Sequence, residues 1–275
     1  MTWLLILRPL NLFQAVLAVW LAAFVINGLA DLRTLTLLLF SVICINGAGN
    51  VVNDIYDLEI DRVNRPNRPL PSGKMSIAQA RIYMISLFMA GIVASAFINL
   101  QTFFITTFIA TPLLVGYSVW FKRMPLIGNL VVAIMLAMTF AYVGVAYGNF
   151  PAMVPLIGLA FGFTIIREIV KDLEDQAGDL SQGARTLPIV WGESATLVFI
   201  SFLTGIFIIA DLLPYGLHVY NSAYLLFVIV GVNIPLLSAL IFMWFKPGKT
   251  MFRRVQLMLK YDIFVGLLAI LLGSR

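Results

Sequence analysis

Charge is scarce in this chain. Of 275 residues, 18 are Lys or Arg and 13 are Asp or Glu, which makes 11% charged against 61% hydrophobic. A soluble domain carries roughly a quarter charged residues, so a water-exposed surface is excluded. Disorder and nucleic-acid binding by a basic domain are excluded with it. Cysteine occurs once, at Cys44, which rules out an intrachain disulfide and any cysteine-based zinc cluster. Histidine also occurs once, at His218, with no nucleophile pattern around it, so a nucleophile–histidine pair for covalent catalysis is not expected.

Long apolar runs fill the space that charge leaves. The bilayer core needs about 20 mostly apolar residues per helix, and nine runs meet that length: Leu10–Asn27, Leu35–Val52, Ile82–Leu100, Phe103–Trp120, Leu126–Tyr147, Ala152–Ile169, Ala195–Leu213, Ala223–Phe245 and Leu257–Leu272. The pattern predicts an all-α, polytopic membrane protein forming a single domain over residues 1–275, with polar cap loops after the second, fourth, sixth and eighth spans. Sixteen of the eighteen basic residues fall on the side of those loops, leaving only Arg33 and Arg275 on the other. By the positive-inside rule the N-terminus is then cytoplasmic and the C-terminus outside, in the cell membrane. Eleven acids share the basic side, all but Asp31 and Asp211. Acids contribute little to orientation, so their gathering needs another cause.

Two clusters supply that cause. After the second span stand Asn53, Asp54, Asp57 and Asp61; after the sixth stand Asp172, Asp175 and Asp179. Both read D-x2-D-x3-D. On a continuous helix, offsets of three and seven residues put three carboxylates within an arc of about 60°. Like charges that close repel, and acids oppose the macrodipole at a helix C-terminus, so each stripe calls for a cation. Hard oxygen ligands suit Mg²⁺, which takes one or two carboxylates and completes its shell with water and phosphate oxygens. Two stripes on one membrane face predict two Mg²⁺ ions serving one diphosphate. The bland alternative is a pair of solvated interfacial loops.

Basic residues complement the acids. The proline-stiffened segment from Arg62 to Lys74 contains Arg65 and Arg68, whose guanidinium forks match phosphate geometry. After the fourth span, Tyr117 to Arg123 adds a phenol, the Lys122 ammonium and the Arg123 guanidinium; Lys122 is read as a phosphate ligand and Arg123 as an interfacial anchor. Other features carry structural readings. His218 reads as a loop residue, Cys44 as a small buried hydrophobe, and Gly144/Gly148 and Gly158/Gly162 as small-xxx-small packing pairs. The basic stretch Lys246–Lys260 reads as a loop contacting anionic membrane lipids.

With these residues in place, the sequence resembles the UbiA superfamily of intramembrane prenyltransferases. Asn53-Asp54-x2-Asp57-x3-Asp61 is similar to its first motif, Asp172-x2-Asp175-x3-Asp179 to its second, and nine spans match its topology. Arg167 to Asp175, followed by Gly183 to Ile189, looks like the digeranylgeranylglyceryl phosphate synthase branch. That resemblance implies transfer of a geranylgeranyl group from its diphosphate to the free hydroxyl of geranylgeranylglyceryl phosphate, which forms the second ether bond of an archaeal-type lipid. It implies that Asn53, Asp54, Asp57 and Asp61 hold one Mg²⁺ and that Asp172, Asp175 and Asp179 hold the other. Lys122, Arg68 and Arg65 would bind the diphosphate, Tyr117 would stabilise the cation-like allylic carbon, and Arg8 and Asn11 would serve the acceptor. Asp57, Asp175, Tyr117 and Lys122 are the expected catalytic set.

The implied partners are a prenyl diphosphate donor, a lipid-like acceptor and membrane lipids, with no nucleic acid and no required protein partner. Within the superfamily, an aromatic or tetrapyrrole acceptor stays open. Two readings lie outside it. A transporter would place its charges near the bilayer midplane, and a CDP-alcohol phosphotransferase would continue the first motif with D-G-x2-A-R, where this chain has Leu58-Glu59.

Overall fold

The computed structural model describes residues 2–181 and 183–274, with the side chains of Val63, Asn64 and Ser181 left aside. Arg275, counted above as an outer-side charge, lies outside the described residues. Every regular element among the described residues is helical. After a helical turn at Thr2–Leu5 come α1 (Pro9–Val25), α2 (Leu32–Tyr56), α3 (Leu58–Asn64), α4 (Ile77–Ala96), α5 (Leu100–Val119) and α6 (Ile127–Ala146). They are followed by α7 (Val154–Ser181), α8 (Leu187–Trp191), α9 (Glu193–Gly216), α10 (Ser222–Phe245) and α11 (Lys249–Gly273). Eight helices are long and apolar enough to cross a membrane by length and composition: α2, α4, α5, α6, α7, α9, α10 and α11. The protein is an integral, multi-pass membrane protein. The apolar α1 has 17 residues, the lower end of a spanning length.

Several helices outrun the apolar spans that predict them. α7 continues past Ile169 to Ser181, α4 starts at Ile77, and α11 starts at Lys249 rather than Leu257. Hydropathy registers where the apolar run stops, whereas Lys, Glu, Gln and Arg are good helix formers and carry the backbone onward. From Lys249 onward, the expected basic loop Lys246–Lys260 is therefore helical. Asp262, assigned above to the basic face, lies midway along α11 and is buried.

The chain forms two compact units. Residues 1–120 and 138–153 make the first, and residues 121–137 and 154–275 the second, so the two halves of α6 belong to different units. In the first unit α2 packs on α4, where an added Cβ on Gly91 would meet Ile45 at 2.8 Å and Cys44 at 3.2 Å. Cys44 is buried there, as expected of a small hydrophobe. Lipid offers apolar side chains no reason to leave it, so interhelical hydrogen bonds matter more. Ser41 donates to the Gly91 carbonyl at 2.9 Å and contacts the Tyr142 hydroxyl at 2.9 Å. α4 opens on a reciprocal cap between Ser76 and Gln79. Ile6, Leu7, Val51, Leu58, Leu70 and Met75 form a buried cluster that pins the N-terminal segment and the Arg65–Lys74 turn to α2.

In the second unit, α7 buries Ile166, Ile169, Val170 and Leu173 against α9, α10 and α11. An added Cβ on Gly162 would meet Phe207 of α9 at 2.8 Å, a close helix contact. Gly158 has open space, and Gly148 sits at φ +67 in the turn after α6, so neither works as half of a packing pair. Asp211 is buried in α9; Asn233 donates to its Oδ1 at 3.2 Å, and the Tyr224 hydroxyl donates to its carbonyl oxygen at 2.7 Å. The Asn233 bond meets part of the cost of a carboxyl inside a spanning helix, with Oδ2 left without a hydrogen bond. His218 lies in the turn after α9 with φ 57, a loop residue as expected.

Candidate active site

In the first unit the D-x2-D-x3-D stripe is broken. α2 ends at Tyr56 and α3 starts at Leu58, with Asp57 between them at φ −91, ψ 5. The chain bends there, with Leu58 buried in the cluster with Ile6 and Leu70, so the continuous helix expected is interrupted although Asp54 and Asp61 stay within reach of one side chain. Asp54 and Asp61 are buried, and Asp57 is half-buried.

Guanidinium groups bind this stripe. Arg68 donates to Asp54 Oδ1 at 3.3 Å and to Asp61 Oδ2 at 2.5 Å, bridging two of the three carboxylates. Arg8 donates to the same Asp54 Oδ1. Buried carboxylates need such partners, since removing one of them leaves an uncompensated charge. Asn53 Oδ1 accepts from the Ser118 hydroxyl at 2.5 Å, which ties α5 to the motif one residue beyond Tyr117. Tyr117 is half-buried. Arg65 is exposed at the end of α3, and Asn11 is exposed in the first turn of α1. The structure thus gathers Asn53, Asp54, Asp61, Arg8 and Arg68, while Arg65 and Asn11 join them through backbone hydrogen bonds, to Asp61, Arg68 and Arg8, with their side chains exposed.

In the second unit the stripe is intact. α7 runs unbroken through Asp172, Asp175 and Asp179, so the three share one helical face, with Asp175 exposed and the outer two half-buried. Asn129 of α6 donates to Asp172 Oδ2 at 2.8 Å. Lys122 and Arg123 occupy a helical turn, Phe121–Arg123, strapped to the segment after the motif by the Arg185 amide donating to the Arg123 carbonyl at 3.0 Å. The positive charge of Lys122 acts on Asp179, and that of Lys171 on Asp172 and Asp179. Gln176 donates to the Pro188 carbonyl at 3.2 Å, fixing α8 beside α7.

Three partners escaped the sequence reading: Asn129, Ser118 and Asn50, which donates to the Leu7 carbonyl at 2.8 Å. Two of them carried a signal, an amide within an apolar helix, which is costly unless it has a partner.

Among the described residues no three Asp, Glu, His or Cys side chains converge as a ready cage for a metal ion. Mg²⁺ requires only one or two carboxylates when waters and phosphate oxygens complete its shell. The hard-oxygen donor sets of both motifs fit an ion that arrives with phosphate.

Each unit carries one aspartate stripe with basic residues near it, in a multi-pass membrane protein, and similarity to known proteins gives the class. The chain belongs to the UbiA prenyltransferase family, whose model matches residues 12–262. It is a prenyltransferase. Digeranylgeranylglyceryl phosphate synthase of Thermococcus sibiricus is 39% identical to it over 272 residues, 98% of this chain and 95% of that one. A solved structure concerned with digeranylgeranylglyceryl phosphate synthase in membranes superposes with a TM-score of 0.86 at 33% identity, over 99% of this chain and 97% of that one. A UbiA homolog from Archaeoglobus fulgidus bound to GPP and Mg²⁺ shares the fold, with a TM-score of 0.62 at 18% identity over 98% and 99% of the two chains.

Proposed function

We propose that this prenyltransferase moves a geranylgeranyl group from geranylgeranyl diphosphate to the free hydroxyl of geranylgeranylglyceryl phosphate, yielding digeranylgeranylglyceryl phosphate and diphosphate. The allylic C–O bond to diphosphate breaks with its electron pair leaving on diphosphate. The alcohol oxygen forms the new ether bond to that carbon and gives up its proton. A cation-like carbon accepts a weak nucleophile, which suits a chain in which no nucleophile–histidine pair is expected.

Asn53, Asp54, Asp57 and Asp61 would hold one Mg²⁺, and Asp172, Asp175 and Asp179 a second. When bound, the ions would neutralise charge developing on the departing diphosphate. Arg68, Arg65 and Lys122 would donate to its oxygens, the same kind of transition-state stabilisation from side chains. Tyr117 would face the positive carbon with its ring or hydroxyl, and Arg8 and Asn11 would serve the acceptor. That both motifs serve one diphosphate is an expectation from the sequence, in which each follows an even-numbered span on the side where the basic residues gather. The whole chain would act as one catalytic domain, with α1 as a ninth span, the site and N-terminus cytoplasmic and the C-terminus outside, as the basic-residue asymmetry favours.

The observation that carries this reading is the pairing of the first aspartate stripe with Arg8 and Arg68, in a chain that aligns nearly end to end with ether-lipid synthases. Mass spectrometry of products after incubation with Mg²⁺, geranylgeranyl diphosphate and competing acceptors tests it. A diether phosphate is expected. A prenylated aromatic without diether phosphate would overturn the acceptor, and substrate uptake into vesicles with no prenyl product would overturn prenyl transfer itself.

A further inference from the structure

Arg8 holds an unusual backbone conformation beside the first motif. It sits immediately before α1 at φ 53, ψ 73, in the left-handed region that non-glycine residues rarely adopt. Such strain persists only where the surroundings enforce it. Two contacts do so, one helical turn apart on α2: Asn50 donates to the carbonyl oxygen of Leu7, and Asp54 accepts the Arg8 guanidinium. Residues four apart on a helix share a face, so α2 grips the N-terminal segment along one line. Ile6 and Leu7 are buried beneath it, and Trp3 meets Tyr83 edge-on with ring centroids 5.0 Å apart.

The grip falls on an oxygen that the proposed function needs. Asp54 Oδ1 already accepts from Arg8 and Arg68, and Asp61 from Arg68. A dication approaching the Asp54 carboxylate, at either oxygen, meets two positive groups held on Oδ1, which repel it. A phosphate anion arriving with the cation gives both guanidiniums a new acceptor of matching geometry.

We propose that Arg8 withholds Asp54 from Mg²⁺ until a phosphate draws the guanidinium away, so that metal binding at the first motif is conditional on phosphate and is felt by the N-terminal segment. Arg8 is thus a positioning residue, acting through Asp54. The inference rests on the reading of the first motif as a metal site.

Calorimetry and tryptophan fluorescence of the full-length protein in detergent test it, with Mg²⁺ alone, Mg²⁺ plus inorganic diphosphate, and Mg²⁺ plus glycerol phosphate. In the wild type, Mg²⁺ alone binds weakly, and one of the two phosphates tightens it and shifts the emission lost in Trp3→Phe. Coupling between sites is typically 5- to 150-fold, so Arg8→Ala is expected to tighten binding of Mg²⁺ alone by roughly fivefold or more and to shrink the gain from phosphate. That effect must vanish in the Asp54→Asn background. Arg8→Gln, which keeps bulk and hydrogen bonding, is measured beside it in case truncation prevents folding, with the same sign expected. A structural role alone predicts the opposite: metal binding unchanged or weaker in both variants, which would overturn the inference. Equal Mg²⁺ affinity with and without either phosphate in the wild type would overturn it too. Absence of Mg²⁺ binding under every condition would instead overturn the metal-site reading on which it stands.

Discussion

The side-chain amide of Asn129 donates to Asp172 Oδ2 at 2.8 Å, across 43 positions of sequence. It is a neutral donor on a buried-facing carboxylate at the inner end of the second motif. Replacing it with Ala leaves that oxygen without its donor, a loss of about 1–3 kcal/mol. The Mg²⁺ concentration for half-maximal prenyl transfer should rise by about 5- to 140-fold in Asn129→Ala. Asn129→Asp loses the donor as well but sets a second negative charge beside the first, which attracts the cation, so it should fall between wild type and Ala. A Mg²⁺ titration of transfer activity orders the three proteins.

The central carboxylates separate chemistry from folding. Asp57 is half-buried and Asp175 exposed, so Asn at either position should fold. Asp57→Asn and Asp175→Asn are expected to lose about 100-fold or more in Mg²⁺-dependent transfer while eluting as the wild type does in detergent. Full activity in both would remove the metal assignment.

Arg68 matters to stability before any substrate binds. It is the shared partner of Asp54 and Asp61, both with nearly buried side chains. Its own side chain is 19% exposed, which softens the effect. Removing one member of a buried pair costs about 3–5 kcal/mol, and Arg68→Ala should fall near the lower end. Arg68→Lys keeps the charge but cannot bridge two carboxylates with a planar fork. Thermal denaturation in detergent should rank wild type above Lys and Lys above Ala.

Two glycines four positions apart should behave oppositely. A methyl group on Gly162 meets Phe207 at 2.8 Å, and one on Gly158 meets nothing within 4 Å. Gly162→Ala is expected to lower stability by about 1–3 kcal/mol through overpacking of α7 against α9. Gly158→Ala should be neutral or mildly stabilising, because Ala favours the helix. Melting temperatures of the two variants in one detergent check the contrast.

Much of the fold is readable in the order of residues. The eight spanning helices coincide with eight of the nine apolar runs, because a segment in hydrocarbon must satisfy its own backbone and a helix does so locally. Their ends are less readable. α11 begins eight residues before the apolar run that predicts it, since charged residues extend a helix without adding hydropathy. The second motif lies on one unbroken helix, as its spacing predicts, whereas the first bends at Asp57 beside the buried Leu58, which no local periodicity announces.

The chain's sparse charge, its apolar runs and the two aspartate spacings were settled by sequence alone, since each depends on composition or on neighbours within a few turns. Which cation meets which carboxylate was settled only by tertiary structure. Arg8 and Asp54 lie 46 positions apart, and Asn129 and Asp172 lie 43 apart. No local periodicity relates such residues; helix packing brings them together, and a carboxylate withdrawn from water then takes whatever donor that packing supplies.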